Sequence, residues 1–318
     1  MSHIFDALQR SEAEKSGGEP SSFALATELL QAAEEKMRAA DRASDRADRA
    51  DRNMPAVATE VDGRSFEAAP SFPVGLEQCP TLSVSIPSDS RLVSVEKEES
   101  LGAEKFRFLA VRLRQLRQTR PLKKILITST IPQEGKSTVA ANLACTLARR
   151  KPHKTLLLEG DLRRPTVASR FGLGRVPGLS EWFHGEGSAM NIYRLESLGL
   201  WVMPAGNAAE NPLELMQSGK LSPLMEQLTA WFDWIVIDSP PVLPLGDTSI
   251  WARLADGILL VTRPGVTEKQ QLQRGLEALE KTKLLGALVN DSSNAAHTDY
   301  YQRYGPPASQ RESGESTK

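Results

Sequence analysis

Gly135, Lys136, Ser137 and Thr138 stand between an apolar run (125–129) and an Ala- and Leu-rich stretch (137–150). This is the strand, turn and helix order in which backbone N–H groups cradle a nucleoside triphosphate. The opening end of a helix offers unpaired N–H groups and a partial positive charge, so a polyphosphate settles there. Gly135 admits close backbone approach, Lys136 is a point charge for the β- and γ-phosphates, and the Ser137 hydroxyl is a Mg²⁺ ligand. With the turn residues Gln133 and Glu134, this gives a nucleotide-binding set spanning 133–138 for ATP or GTP. The strict spacing G-x-x-x-x-G-K-[ST] asks for glycine at 130, where the chain has Thr130. The bland alternative is an ordinary strand, turn and helix with an exposed lysine.

Two further apolar runs end in acid. LLLEGDLRRP carries Glu159 and Asp161, and WIVIDSPP carries Asp238. Carboxylates at strand tips supply the hard oxygen ligands that hold Mg²⁺ against phosphates, although a lone Asp there is more often a turn or cap residue. Three strand ends with complementary chemistry make coincidence a poor account. Of the four tyrosines, Tyr300, Tyr301 and Tyr304 cluster in HTDYYQRYG, where a polar tail offers phosphoryl acceptors or merely an aromatic patch. The tail begins beyond Asn290, and ten further residues span roughly 30 Å, enough to reach a neighbouring subunit's site.

The elements that must position these groups alternate in type. Runs 125–129, 155–159, 200–203, 234–238, 258–262 and 284–290 read as strands, and 137–150, 212–231, 247–255 and 267–283 as helices. Alternation of this kind implies a mainly parallel sheet between two helical layers, a three-layer α/β/α fold with ligands beyond the carboxyl ends of its strands. Ahead of it, Ser100 is an N-cap for a helix facing the sheet with Phe106, Leu109, Leu113 and Leu116. Residues 105–124 hold eight basic side chains and no acid, either a solvated face or an interface for an acidic partner, an anionic membrane or a nucleic acid.

The first 90 residues differ in kind. Residues 1–15 are a short amphipathic helix or a frayed terminus, 38–52 repeat Asp-Arg as a solvated spacer, and 53–90 are rich in Pro, Ser and Glu, the composition of a flexible linker. Three parts follow: a largely disordered region with short helices over 1–90, the nucleotide-binding domain over 91–294, and a flexible tyrosine tail over 295–318. A net charge of −1 argues against a nucleic-acid-coating protein, and no apolar run approaches a membrane span. Cys79 and Cys145 are expected to be free thiols and the four histidines lack metal-ligand spacing. The expected location is the cytosol.

Taken together, these residues resemble the bacterial tyrosine kinases of exopolysaccharide and capsule synthesis in their soluble, autophosphorylating form. The resemblance covers 100–304, including FGLGRVPGLSEWFHGE, MPAGNAAENPLELMQS and LADGILLVTRPGVT. It implies that Lys136 holds phosphates, that Ser137 and Asp238 bind Mg²⁺, that Asp161 binds metal or deprotonates the acceptor, and that Asn290 contacts adenine. Catalytic work would then fall on Lys136, Asp161 and Asp238, with the tyrosine tail phosphorylated between subunits. It further implies a membrane polysaccharide chain-length regulator as activator, self-assembly as a homo-oligomer or ring, and a cognate phosphotyrosine phosphatase, with recruitment to the inner face of the membrane through that partner. Glu159 is one methylene longer than the family's first aspartate, at a water-mediated metal contact. Gln133 replaces a common glycine, and the ring-forming E-x-x-R-x-x-R reads Glu104, Arg107, Ala110. A Min/Par-type positioning ATPase shares the fold, but its signature lysine would fall at Ile131. A non-catalytic nucleotide-binding scaffold is the remaining alternative.

Overall fold

Short β-branched and leucine runs become strands here because the central ones are buried on both faces between two layers of helices. A computed structural model describes residues 76–150, 152–185, 191–243 and 246–291. The expectations for 1–15, for 38–52 and for the tail with Tyr300, Tyr301 and Tyr304 lie outside the described residues. Eight strands form one sheet: β1 (Thr81–Leu82), β2 (Lys124–Ser129), β3 (Thr155–Glu159), β4 (Tyr193–Leu195), β5 (Leu200–Met203), β6 (Trp234–Asp238), β7 (Gly257–Thr262) and β8 (Leu284–Val289). Their order is β1-β4-β5-β3-β6-β2-β7-β8, parallel throughout except for the β4–β5 pair. The strands carrying the two acids and the loop, β3, β6 and β2, are thus adjacent at the centre.

Alternate strand residues feed two cores. Ile125, Ile127, Leu157 and Val236 face one layer, built from α1 (Val93–Glu96), α2 (Leu101–Arg117), α3 (Lys136–Ala148) and α4 (Val167–Arg170). Leu126, Leu156, Leu158 and Ile237 face the other, built from α5 (Leu179–His184), α6 (Pro212–Gln217), α7 (Leu221–Trp231), α8 (Asp247–Leu254) and α9 (Lys269–Glu277). Helix α3 is buried on nearly every side, Cys145 included, because α2 lies outside it. Its small Ala-rich surface suits that sandwiched position. Ser100 caps α2, its hydroxyl accepting the Ala103 N–H at 3.2 Å.

Packing begins well before residue 91. The stretch expected to be linker joins the body at Leu76: β1 pairs with β4, and Leu82, Val84 and Ile86 lie against the core. Their alternation is a strand-period signal that the surrounding prolines obscure. From there Ser90 to Glu98 straps α3. The Ser94 N–H donates to Asn142 Oδ1 (2.9 Å), Asn142 Nδ2 donates to the Arg91 carbonyl (3.0 Å), and Arg149 pairs with Glu98 (2.6 Å). The expected helix 212–231 divides at Gly219 (φ 81°), and 267–283 stops at Glu277 before a separate 3₁₀ turn, Lys281–Lys283.

Much of the basic run 105–124 bonds back to its own domain. Arg107 pairs with Glu104, Lys124 pairs with Asp256 (3.1 Å), Arg120 and Lys123 donate to the carbonyls of Asp256 and Thr229, and Arg117 lies over the Trp234 ring (4.8 Å). Among the described residues no helix is long and apolar enough to cross a membrane.

Candidate functional site

The turn 130–135 closes on itself from within. Glu134 is fully buried, one carboxylate oxygen accepting the Ile131 N–H (2.7 Å) and the other the Thr267 hydroxyl. Glu134 therefore shapes the loop with its side chain and leaves only its backbone for a phosphate. Gln133 (φ 68°) and Gly135 (φ 92°) adopt the left-handed conformation, which explains why glycine suits position 133 and marks Gln133 as a strained residue. Thr130 fits where the strict motif asks for glycine because α9 presents Gly275 opposite it, and a Cβ there would lie 2.9 Å from the Thr130 hydroxyl. Asn290, just past β8, donates through Nδ2 to the Glu134 carbonyl (2.9 Å) and lies where a Gly135 Cβ would be. The last strand end thus backs the loop directly.

Lys136 opens α3 and reaches Asp161, with Nζ 3.1 Å from Oδ2. Asp161 is 3 % exposed, and its other oxygen accepts the Arg164 N–H (3.2 Å). Ser137 and Thr138 follow on the same first turn, Ser137 buried. Asp238, at the tip of β6, is wholly buried, and neither carboxylate oxygen has a hydrogen-bond partner among the described residues. Burial lifts its pKa to about 6 against the pull of the Lys136 ammonium. The nearby Ser137 hydroxyl also lowers it, without the alignment of a full hydrogen bond. A buried, unpartnered carboxylate is costly unless something binds it, and cations are what carboxylates bind. The structure therefore gathers Lys136, Ser137, Asp161 and Asp238 at one end of the sheet, beside residues 133–135 and Asn290.

Glu159 does something other than its motif position implies. It lies beside Asp238 in the β3–β6 register, fully buried. One oxygen accepts the N–H groups of Thr166 and Val167 (2.8 Å for Val167) at the start of α4, and the other accepts the Ala205 N–H (2.9 Å). Burial raises its pKa to about 7 despite these three donors, with Asp238 adding to the rise. In this arrangement it is a knot between loops, and the extra methylene is what lets it span them. Glu159→Asp is expected to lose at least two of these bonds and to cost roughly 2–3 kcal/mol, measured by denaturant melts. An unchanged midpoint would contradict the brace.

Sequence reasoning missed several groups that hold this end together. Arg163 forms a two-pronged ion pair with buried Asp247 (2.8 and 3.2 Å). Trp251 donates to the Gly160 carbonyl (3.1 Å) and packs where a Gly160 Cβ would be. Glu181 accepts the Gly178 N–H and both the backbone and side-chain N–H of Asn207, locking GLSEW onto PAGN. The two motif-like stretches are therefore one structural clasp. The only signals were the Asp after Gly246 and the glycines themselves.

No family model matches the chain. It is 35 % identical over 212 residues to the tyrosine-protein kinase YwqD of Bacillus subtilis, covering 66 % of this chain and 89 % of that protein. It is 32 % identical over 215 residues to the putative tyrosine-protein kinase CapB of Staphylococcus aureus, covering 66 % and 93 %. Among solved structures, the chimerical protein CapA2B2 superposes with a TM-score of 0.60 at 32 % identity, covering 67 % of this chain and 95 % of that one.

Proposed function

Because this chain belongs to the bacterial tyrosine-protein kinases, we propose that it transfers the ATP γ-phosphoryl group to Tyr300, Tyr301 and Tyr304 of a second copy of itself. The observation that carries this reading is Asp238, buried and unpartnered beside the Lys136–Asp161 pair. The residues present suit Mg²⁺ and a triphosphate: an N–H nest at 133–138, a lysine, a hydroxyl and two carboxylates. Ser137 and Asp238 would hold the ion, with Asp161 either joining them or serving as the base, Gln133 to Thr138 the phosphates, and Asn290 the adenine side. Bound Mg²⁺ would supply charge neutralisation between the phosphates.

The chain's own groups do the rest. Lys136, now turned to Asp161, is placed to follow phosphate charge as it develops. Where Asp161 is not taken up by the ion, that exchange leaves it to accept the proton of an incoming tyrosine hydroxyl.

The kinase would act in exopolysaccharide or capsule production, with a membrane chain-length regulator as activator, assembly into an oligomer, a phosphatase resetting the tail, and a cytosolic, membrane-recruited location. The relatives CapB, a putative tyrosine-protein kinase, and CapA2B2 support the kinase part of this reading. Each phosphotyrosine adds about −1.5 to −2 charges, so a fully modified tail should be repelled from Asp161 and Asp238 and leave its neighbour. Incubation with labelled ATP and Mg²⁺, with the activator's cytosolic segment added, is expected to label the tail in a protein-concentration-dependent manner. A Tyr300→Phe, Tyr301→Phe, Tyr304→Phe variant should lose at least about nine-tenths of the label, because phenylalanine has no hydroxyl to accept the phosphoryl group. Full labelling of that variant would remove the tail from the mechanism.

A further inference from the structure

A pocket of about 320 Å³ is bounded by Arg163, Glu210, Asn211, Leu213 and Glu214. Its floor is stitched to the backbone that carries Asp161. The Leu162 carbonyl accepts the Ala209 N–H (3.0 Å), and Arg163 turns away into Asp247. Leu162 directly follows Asp161 and Ala209 directly precedes Glu210, so the Leu162–Ala209 bond ties the pocket's rim to the backbone that carries that carboxylate. Since buried Asp247 already meets Arg163, the exposed glutamates Glu210 and Glu214 set the sign of the pocket, and Leu213, 37 % exposed, gives it an apolar lip.

We propose that this pocket reads the residues flanking the acceptor tyrosine, and that its occupant is segment 299–304 of a second copy, with Arg303 held by Glu210 and Glu214. The proposal deepens the tyrosine-transfer reading and rests on it. The segment DYYQRY carries one basic side chain, Arg303, between Tyr301 and Tyr304. In an extended peptide residues i and i+2 share a face about 6.6 Å apart. Arg303 seated on the glutamates therefore turns Tyr301 toward Asp161, whereas Tyr300 and Tyr304 face the other way. Tyr301 becomes the favoured acceptor, and an aromatic side chain finds Leu213 at the lip.

The test uses the full chain with its three tail tyrosines changed to Phe as enzyme, and a fluorescent peptide spanning 295–311 as substrate. The peptide is supplied as such or with Arg303→Glu. Exposed charge pairs are individually weak, so reversing one residue against two partners is expected to lower kcat/KM about five- to tenfold, less so at high salt. The Glu210→Lys, Glu214→Lys enzyme should reverse the preference with ATP affinity unchanged. Equal kcat/KM for both peptides, or equal loss on both with the lysine enzyme, would overturn the pocket assignment. If the parent enzyme modifies neither peptide, the tyrosine-transfer reading fails. Anisotropy of the same peptides then judges the pocket separately: binding with the charge-swap pattern upholds it, and binding without that pattern overturns it.

Discussion

Lys136→Met is expected to reduce phosphotyrosine formation at least about 10³-fold, the scale on which a cation at the transferred phosphoryl group acts. The methionine keeps the stem and the α3 first turn but removes the ammonium that lies 3.1 Å from Asp161. Asp161 would then stand 3 % exposed without that counter-charge. Some loss of stability follows, and a thermal melt of the variant separates it from lost chemistry. Retained folding with no label is the predicted pair of results. Label within tenfold of the parent would mean that the phosphates are held elsewhere.

Asp238→Asn should cut activity at least about 10²-fold by weakening the ion site, yet make the ligand-free protein more stable. An unfolded aspartate ionises near pH 3.9, whereas burial holds Asp238 near 6. Below pH 4 both states are protonated and the carboxylate costs nothing. Between pH 4 and 6 the unfolded chain gives up its proton first, so folding stability falls, and above about pH 6 the full penalty of up to about 3 kcal/mol remains. The difference in melting temperature between variant and parent should thus be near zero at pH 4 and reach roughly 5–10 °C by pH 7. Glu159, whose pKa is raised to about 7 mainly by burial, titrates in the same direction and persists in the variant. Some pH slope between 5 and 7 is therefore expected to remain after the Asp238→Asn change. A parent more stable than its variant at pH 7 would show that Asp238 is partnered after all.

Six strands and the central parallel arrangement were legible because apolar runs ending in Ser129, Glu159 and Asp238 carry both the strand period and the chemistry at their tips. Gly135-Lys136-Ser137 pointed to the loop for the same reason. What escaped were features written in single residues. Glu159 looked like a metal-site acid because its motif position says so, and only its three backbone donors reveal a brace. The β4 strand is three residues long, β1 is two, and α4 is a single turn, lengths at which periodicity carries no signal. Residues 82–86 alternate correctly but lie among prolines. Arg163 and Asp247 are separated by 84 positions, a pairing that no local pattern encodes.

The strap from Ser90 to Glu98 has a mechanical corollary. It holds α3 through Asn142 and Arg149, and α4 through Arg170, which donates to the Ser90 carbonyl at 3.2 Å. Both helices begin at the phosphate end. A pull on the chain ahead of the strap would therefore load the two helices whose first turns frame the phosphate end before it reached the sheet.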